Sequence, residues 1–266
     1  MSSISNIKKN GFHIFKSIFS KKEINIFHKE ILKMKTSPQE NFFKKGKLDS
    51  KAILNLQKKN LIFLKLLNNK LINRINKYFL NDKYYKSLHP KLPNYILSQY
   101  AARSAGKKKL VLHFDDKVPN SGDNVNYLQW AIPMIDLNKK NGCTQVIPKS
   151  HKFGLDKPKI KKKLALKDLE LKIGDMAVWD GRIWHSARPN TSNKERWVII
   201  LTFCKWFFKP HYDIPRSFPK KYYNKINQSQ KIILGFASIP KLDEKSGVVQ
   251  RGDLKSANKF LKNKKF

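Results

Sequence analysis

The sequence predicts a mainly β protein with a helical N-terminal part, on three observations. Short apolar runs split by turn residues recur from Tyr95 to Phe207, with no helical pattern between them. That texture belongs to a sandwich or barrel of jelly-roll type. The first ~90 residues instead carry apolar side chains three or four apart, the period of amphipathic helices. The third is bulk: 266 residues with 17 Phe, 9 Tyr and 5 Trp supply a substantial core. One domain is expected over about 1–250, with a helical part to about 90, a jelly-roll core over about 91–210 and a C-terminal extension over about 211–250. A Lys-rich tail, 251–266, follows.

Each element has a local cause. Ser20-Lys21-Lys22-Glu23 is a capping box that opens a helix carrying Ile24, Phe27, Ile31 and Leu32. Thr36 to Lys51 is polar and reads as a loop. Leu61, Leu64, Leu67, Leu71, Ile75 and Tyr78 predict a second helix from about Lys58 to Leu80. Strands are expected over Tyr95–Arg103, Leu110–Asp115, Tyr127–Leu137, Cys143–Ile147, Met176–Trp179 and Arg196–Phe207. Asn141-Gly142, Pro148 and Asp180-Gly181 close three of them. A weak helical pattern returns at Lys220–Leu234.

Composition excludes several classes. Two cysteines, Cys143 and Cys204, are too few for a disulfide scaffold or a cysteine-based zinc module. No stretch of about 18 uncharged apolar residues exists, so no membrane span is expected. Met1 to Gly11 lacks an apolar leader, which predicts a cytoplasmic protein. Lys+Arg is 56 against Asp+Glu 19, a net charge of +37. Such a balance fits an anionic partner such as nucleic acid. Only seven of the 56 are Arg, however, and the chain is rich in Asn and Ile. An AT-rich coding sequence produces that trio, and nucleic-acid readers favour Arg for its fork. Nucleic acid is therefore the less favoured partner.

The chemistry begins at Leu110-Val111-Leu112-His113-Phe114-Asp115-Asp116. Residues i and i+2 of a strand share a face, so His113 and Asp115 project together. An imidazole and a carboxylate on one face are two thirds of a facial metal triad. His185 follows a strand and tight turn, among aromatic residues. Arg196, eleven residues beyond, opens an apolar strand; a buried cation there needs an anion, and a bidentate carboxylate suits it.

His113-x-Asp115, then Asn141-Gly142-x-x-x-Val146-x-Pro148-x-Ser150-His151, then His185 with Arg196 eleven residues on, resembles the phytanoyl-CoA dioxygenase family. The resemblance runs from about Gly11 to Leu234 and includes Gly11-Phe12 and Phe19-Ser20-Lys21-Lys22-Glu23-Ile24. It implies a double-stranded β-helix, the cupin-like jelly roll, and an Fe(II)- and 2-oxoglutarate-dependent dioxygenase acting on a small molecule with O2. It implies His113, Asp115 and His185 as iron ligands, and Arg196 as partner of the cosubstrate's C5 carboxylate. Gln99 is placed against the cosubstrate, with Gln129 as a rival. His151 is implied to be structural, and Asn190 matches a usual family position. Lys149 stands where relatives often have Gly. Family halogenases lose the carboxylate ligand; Asp115 is retained, which favours hydroxylation.

Three other readings stand beside this one. They are a nucleic-acid-acting oxygenase of the same superfamily, a non-catalytic binding protein on this fold, and a cupin-type isomerase, which would give Arg196 no purpose. Lys107, Lys108 and Lys109 lead into the His113 segment, and Arg182 and Arg188 flank His185. Together they suggest an anionic substrate.

Overall fold

The computed structural model describes residues 2–37, 50–84, 88–116, 118, 120, 122–154 and 166–239. Most of the expected 36–51 loop, the end of the C-terminal extension and the Lys-rich tail lie outside them. The chain forms two compact units, residues 1–56 with 100–202 and residues 57–99 with 203–266.

The first unit is a sandwich of antiparallel strands. Its strands are β1 (Phe12–Phe15), β2 (Lys51–Leu54), β3 (Tyr95–Ser104), β4 (Tyr127–Pro133), β5 (Thr144–Val146), β6 (Lys167–Leu169), β7 (Met176–Asp180), β8 (His185–Ala187) and β9 (Trp197–Lys205). The larger sheet runs β1-β7-β4-β9-β3-β2 and the smaller β6-β5-β8. Strands β3 and β9 each continue into the second unit. The core joins side chains of both sheets: Ala131, Ala177, Trp179, Val198 and Ile200 from the larger, Val146 and Leu169 from the smaller, with Leu137, Cys143 and Ile183. Alternation explains the choice, since every second residue of a strand faces inward. This is the jelly-roll architecture that the strand pattern predicts.

The capping box forms as expected. Glu23 N donates to Ser20 Oγ at 3.2 Å and Ser20 N to Glu23 Oε2 at 2.8 Å, opening helix α2 (Lys21–Leu32), which buries Ile24, Phe27 and Ile31. Leu32 is exposed instead. A shorter helix, α1 (Ser3–Asn10), precedes it, and β1 lies between them. Strand β1, like β2, lies in the N-terminal stretch read as helical with a loop over 36–51. Four residues of β1 are too few to display a period of two, and they are a strand because they pair with β7. The carbonyls at the end of α1 are taken up by a distant turn. Lys149 N donates to Asn10 O at 2.9 Å and the His151 ring to Lys8 O at 3.0 Å. An added Cβ on Gly11 would lie 2.6 Å from His151 Nδ1.

In the second unit the expected helix over 58–80 is broken. A turn of α-helix at Leu61–Leu64 runs into a 3-10 turn at Lys65–Asn68, and α3 (Lys70–Leu80) starts afresh. The interruption is a cap: Asn69 Oδ1 accepts from Leu71 N at 3.0 Å and Ile72 N at 3.1 Å. Helix α4 (Gln228–Ile233) carries its own capping box, Asn227 with Gln230. Gln230 Nε2 donates to Leu64 O at 2.7 Å.

Lys149 lies in left-handed backbone, φ 69°, in the Pro148-Lys149-Ser150 turn where relatives often carry Gly. A side chain there costs about 1–2 kcal/mol, partly offset by glycine's greater freedom when unfolded. Lys149→Gly should therefore stabilise the protein by about 0.5–1 kcal/mol, read as a raised urea midpoint at constant m. A lowered midpoint would contradict the backbone assignment.

Candidate metal centre

The site is built on a single backbone pairing. After β3 the chain from Ala105 to Asp116 bends at Lys107 and Lys108 and forms no regular strand; within it only His113 is bridged, to His185 of β8. This corrects the continuous strand expected over 110–115. Contact with β8 is made at two points, Leu110 N to Ala187 O at 3.1 Å and the His113–His185 pair. The pair is reciprocal, His113 N to His185 O at 2.9 Å and His185 N to His113 O at 2.8 Å. Two residues on, Asp115 N and Asp116 N both donate to Gly181 O, at 2.8 and 3.0 Å. The i, i+2 rule then holds as expected. His113 and Asp115 face the His185 side, while Phe114 turns away and packs edge-on against Trp184, ring centroids 4.9 Å apart.

His113, Asp115 and His185 each present one ligand atom, all within 4.8 Å of one another. Both imidazoles are oriented alike. His113 Nδ1 donates to Val111 O at 2.8 Å and His185 Nδ1 to Ile183 O at 3.0 Å, which leaves both Nε2 lone pairs facing the carboxylate. Asp115 Oδ1 lies 3.8 Å from His113 Nε2, and Oδ2 lies 3.3 Å from His185 Nε2. Oδ2 is buried and takes no hydrogen bond. Two imine nitrogens and a carboxylate with an unused buried oxygen are a donor set that could hold a divalent metal. Electrostatics agree. Burial opposes the Asp115 charge, but His185, His113 and Arg103 outweigh it and bring its pKa down to about 2. Burial likewise opposes charge on His185, and Asp115 overrides it, leaving the imidazole above its usual range. His113 is held below its usual range by burial, with the His185 charge second.

Arg196 is 5% exposed. Its Nε donates to Asn141 O at 3.2 Å and its Nη2 to Gly142 O. Among the described residues no carboxylate lies within ion-pair reach of it. Burial accordingly brings its pKa down to about 10. Glu195, its neighbour, faces away and pairs with Lys51. Asn190 braces the turn leading to Arg196: its side chain donates to Lys194 O at 2.9 Å and accepts from Ser192 N at 3.0 Å. Cys143, next to Gly142, is buried, and burial with the Asp168 charge pushes its thiol up to about 12.

The other expected residues divide. Gln129 of β4 is paired in register with Trp179, whose ring lies 5.6 Å from that of His185. It accepts from Thr202 Oγ1 at 3.1 Å. Gln99 lies half-buried in the part of β3 that belongs to the second unit. Arg182 and Arg188, read from sequence as cations facing the metal, are both committed to carboxylates. Arg182 pairs with Asp180 at 2.7 Å and Arg188 with Asp168 at 2.6 Å. Lys107, Lys108 and Lys109 are exposed. Arg103, a cation whose charge acts on both His113 and Asp115, went unremarked in the sequence because nothing local marks it. The holding role of Gly181 was equally invisible, being a backbone carbonyl's.

An antiparallel jelly roll carrying two histidines and one carboxylate that could hold a metal is the arrangement typical of mononuclear non-haem iron oxygenases. The profile of the phytanoyl-CoA dioxygenase family matches residues 7–198, and the chain belongs to that family. Curated relatives include dioxygenase af480 of Aspergillus fumigatus, 27% identical over 60% of this chain and 51% of the relative. Another is dioxygenase ALT11 of Alternaria alternata, 27% identical over 41% of this chain and 35% of the relative. The chain thus spans about half the length, or less, of the curated relatives it matches. Among solved structures, HygX from Streptomyces hygroscopicus, with nickel and 2-oxoglutarate bound, has a TM-score of 0.62 at 14% identity, over 78% of this chain and 88% of that one. The α-ketoglutarate-dependent epimerase SnoN of nogalamycin biosynthesis has a TM-score of 0.59 at 13% identity, over 79% and 84%. Both share the fold. No helix among the described residues is long and apolar enough to cross a membrane.

A Cβ on Gly181 would lie 2.6 Å from the Cβ of Tyr127, an atom with no freedom to withdraw. Gly181→Ala should cost about 1–3 kcal/mol of stability, read as a lowered thermal midpoint. An unchanged midpoint would refute the close approach.

Proposed function

We propose that the protein is an Fe(II)- and 2-oxoglutarate-dependent dioxygenase that oxidises a C–H bond of a small, anionic metabolite, with release of succinate and CO2. The observation that carries this reading is the convergence of His113 Nε2, Asp115 and His185 Nε2 within 4.8 Å, with Asp115 Oδ2 buried and unbonded. These residues would hold the iron. Bound there, it supplies oxygen activation coupled to oxidative decarboxylation of the cosubstrate.

The chain's own residues do the rest. Val111 O and Ile183 O keep the imidazole N–H groups on Nδ1, so both Nε2 atoms stay available as ligands. Arg196, buried against two carbonyls and no carboxylate, binds the C5 carboxylate of 2-oxoglutarate through a charge-assisted pair. Gln129 is the better-supported second contact to the cosubstrate, since it shares a strand face with Trp179 beside His185; Gln99 is the weaker one. Trp179, whose ring lies 5.6 Å from that of His185, gives the reacting centre an apolar wall, while Phe114 and Trp184 pack against each other on the opposite face. Retention of Asp115 fills the position that a halide would need, which supports hydroxylation. The anionic character of the substrate is supported by the Arg103 charge acting on His113 and Asp115 and by the exposed Lys108 and Lys109; Arg182 and Arg188 are paired with Asp180 and Asp168.

Three outcomes test the reading. His185→Ala should abolish stoichiometric Fe(II) or Co(II) binding; normal binding would remove the assignment. Arg196→Ala should weaken 2-oxoglutarate roughly 10- to 150-fold, the loss of a charge-assisted bond of about 1.5–3 kcal/mol. Its metal binding should be intact, and unaltered 2-oxoglutarate affinity in that folded variant would refute the role of Arg196. Protons compete with metal for the imidazoles. Because His185 is held above its usual pKa of 6.5, metal affinity should be steady at high pH and fall on acidification through that raised value. Affinity independent of pH would argue against imidazole ligation.

A further inference from the structure

We propose that the buried Asp180–Arg182 pair is a clamp that positions Asp115 for the metal, by fixing the chain at that residue and beyond it. The proposal rests on the reading of His113, Asp115 and His185 as the ligands. Asp180 and Arg182 side chains are 1% and 3% exposed. Asp180 Oδ1 accepts from Arg182 N and Nε, both at 3.0 Å, and Oδ2 accepts from Nη2 at 2.7 Å. The carboxylate thus folds the Asp180-Gly181-Arg182 turn around a bidentate pair.

That turn reaches the ligand segment twice. The Gly181 carbonyl, between the paired residues, takes the amides of Asp115 and Asp116. The remaining arm of the guanidinium, Nη1, donates to Asn120 O at 3.0 Å, to Asn120 Oδ1 at 3.1 Å and to Gly122 O. Between these anchors Asp116 Oδ1 accepts from Val118 N at 2.8 Å, and Asn126 Nδ2 donates to Val118 O. One turn therefore holds the backbone at the ligand, and Asn120 and Gly122 beyond it.

The side chain of Asp115 needs that support. Its Oδ2 receives no hydrogen bond, whereas each histidine is oriented by a carbonyl of its own segment. The carboxylate is placed by its backbone, and the backbone is placed by Gly181 O. Lysine cannot reproduce the clamp: it can keep a charge near Asp180, but it has no planar fork to bridge Asp180 and the loop together. Arg182 is thus a positioning residue.

The test is anaerobic titration of the full chain with Co(II), read by its visible absorption, without substrate. Wild-type protein should bind one equivalent; no binding would overturn the metal reading and this proposal together. With wild-type binding in hand, Arg182→Lys should bind 10- to 100-fold more weakly, the usual loss for groups that orient a ligand, with a shifted absorption band. Asn120→Ala, on a half-buried loop residue, keeps the fold, removes one of the three loop acceptors and should bind several-fold more weakly. Arg188→Lys, which loosens the more exposed bidentate pair with Asp168, should leave affinity and spectrum unchanged. The metal reading stands and the proposal falls if folded Arg182→Lys binds Co(II) within twofold of wild type, or if Arg188→Lys weakens it equally. Should Arg182→Lys fail to fold, unchanged affinity in Asn120→Ala overturns it.

Discussion

Two hydrogen bonds between the backbones of His113 and His185 set everything else in the site. They join an extended segment, which belongs to no sheet, to the short strand β8. The imidazoles are thereby brought to 4.3 Å between ring centroids without contact between the two segments over any great length. Asp115 follows because the extended chain repeats every two residues. The Gly181 carbonyl extends the pairing by two residues and makes the third donor converge. A shift of one residue in this pairing would send Phe114 inward and both His113 and Asp115 outward.

The larger structure serves that pairing from two directions. Strand β7 and its turn present Gly181 from below the segment, and the Pro148-Lys149-Ser150 turn fixes Trp184, whose amide donates to Ser150 Oγ at 2.8 Å. The two most buried arginines of the first unit then divide the electrostatic work. Arg182 has a carboxylate and three loop oxygens, so its charge is consumed by the fold. Among the described residues Arg196 donates to two carbonyls and to no carboxylate, so its charge is not neutralised by them. Sequence position singles out Arg196, which opens an apolar strand, but does not show that Arg182 is already paired. Their partners separate the two.

Much of this was legible in the sequence. The jelly roll follows from short apolar runs, the capping box at Ser20 from its own four residues, and the pairing of His113 with Asp115 from the period of a strand. What the sequence withheld is tertiary. Strand β1 is too short to show a pattern before β7 pairs with it. The break in the 58–80 helix is made by the Asn69 side chain, against a continuous hydrophobic period. Arg182 and Arg188 looked available because Asp180 is two residues from the one and Asp168 twenty from the other, and nothing local says which carboxylate a guanidinium will find. Arg103 gained meaning only once the chain after β3 had folded back beside the triad.

The Asn141-Gly142-Cys143 stretch supplies the carbonyls that hold Arg196, and it carries the thiol whose pKa burial raises to about 12. At neutral pH such a group is ionised in only about one molecule in 100,000. Peroxide and alkylating agents attack the thiolate, so Cys143 is inert while the fold is closed. Burial thus keeps the sulfur beside Arg196 out of reach of oxidants. The same shielding makes Cys143 a reporter: the rate at which a thiol dye labels it measures how often this part of the jelly roll opens.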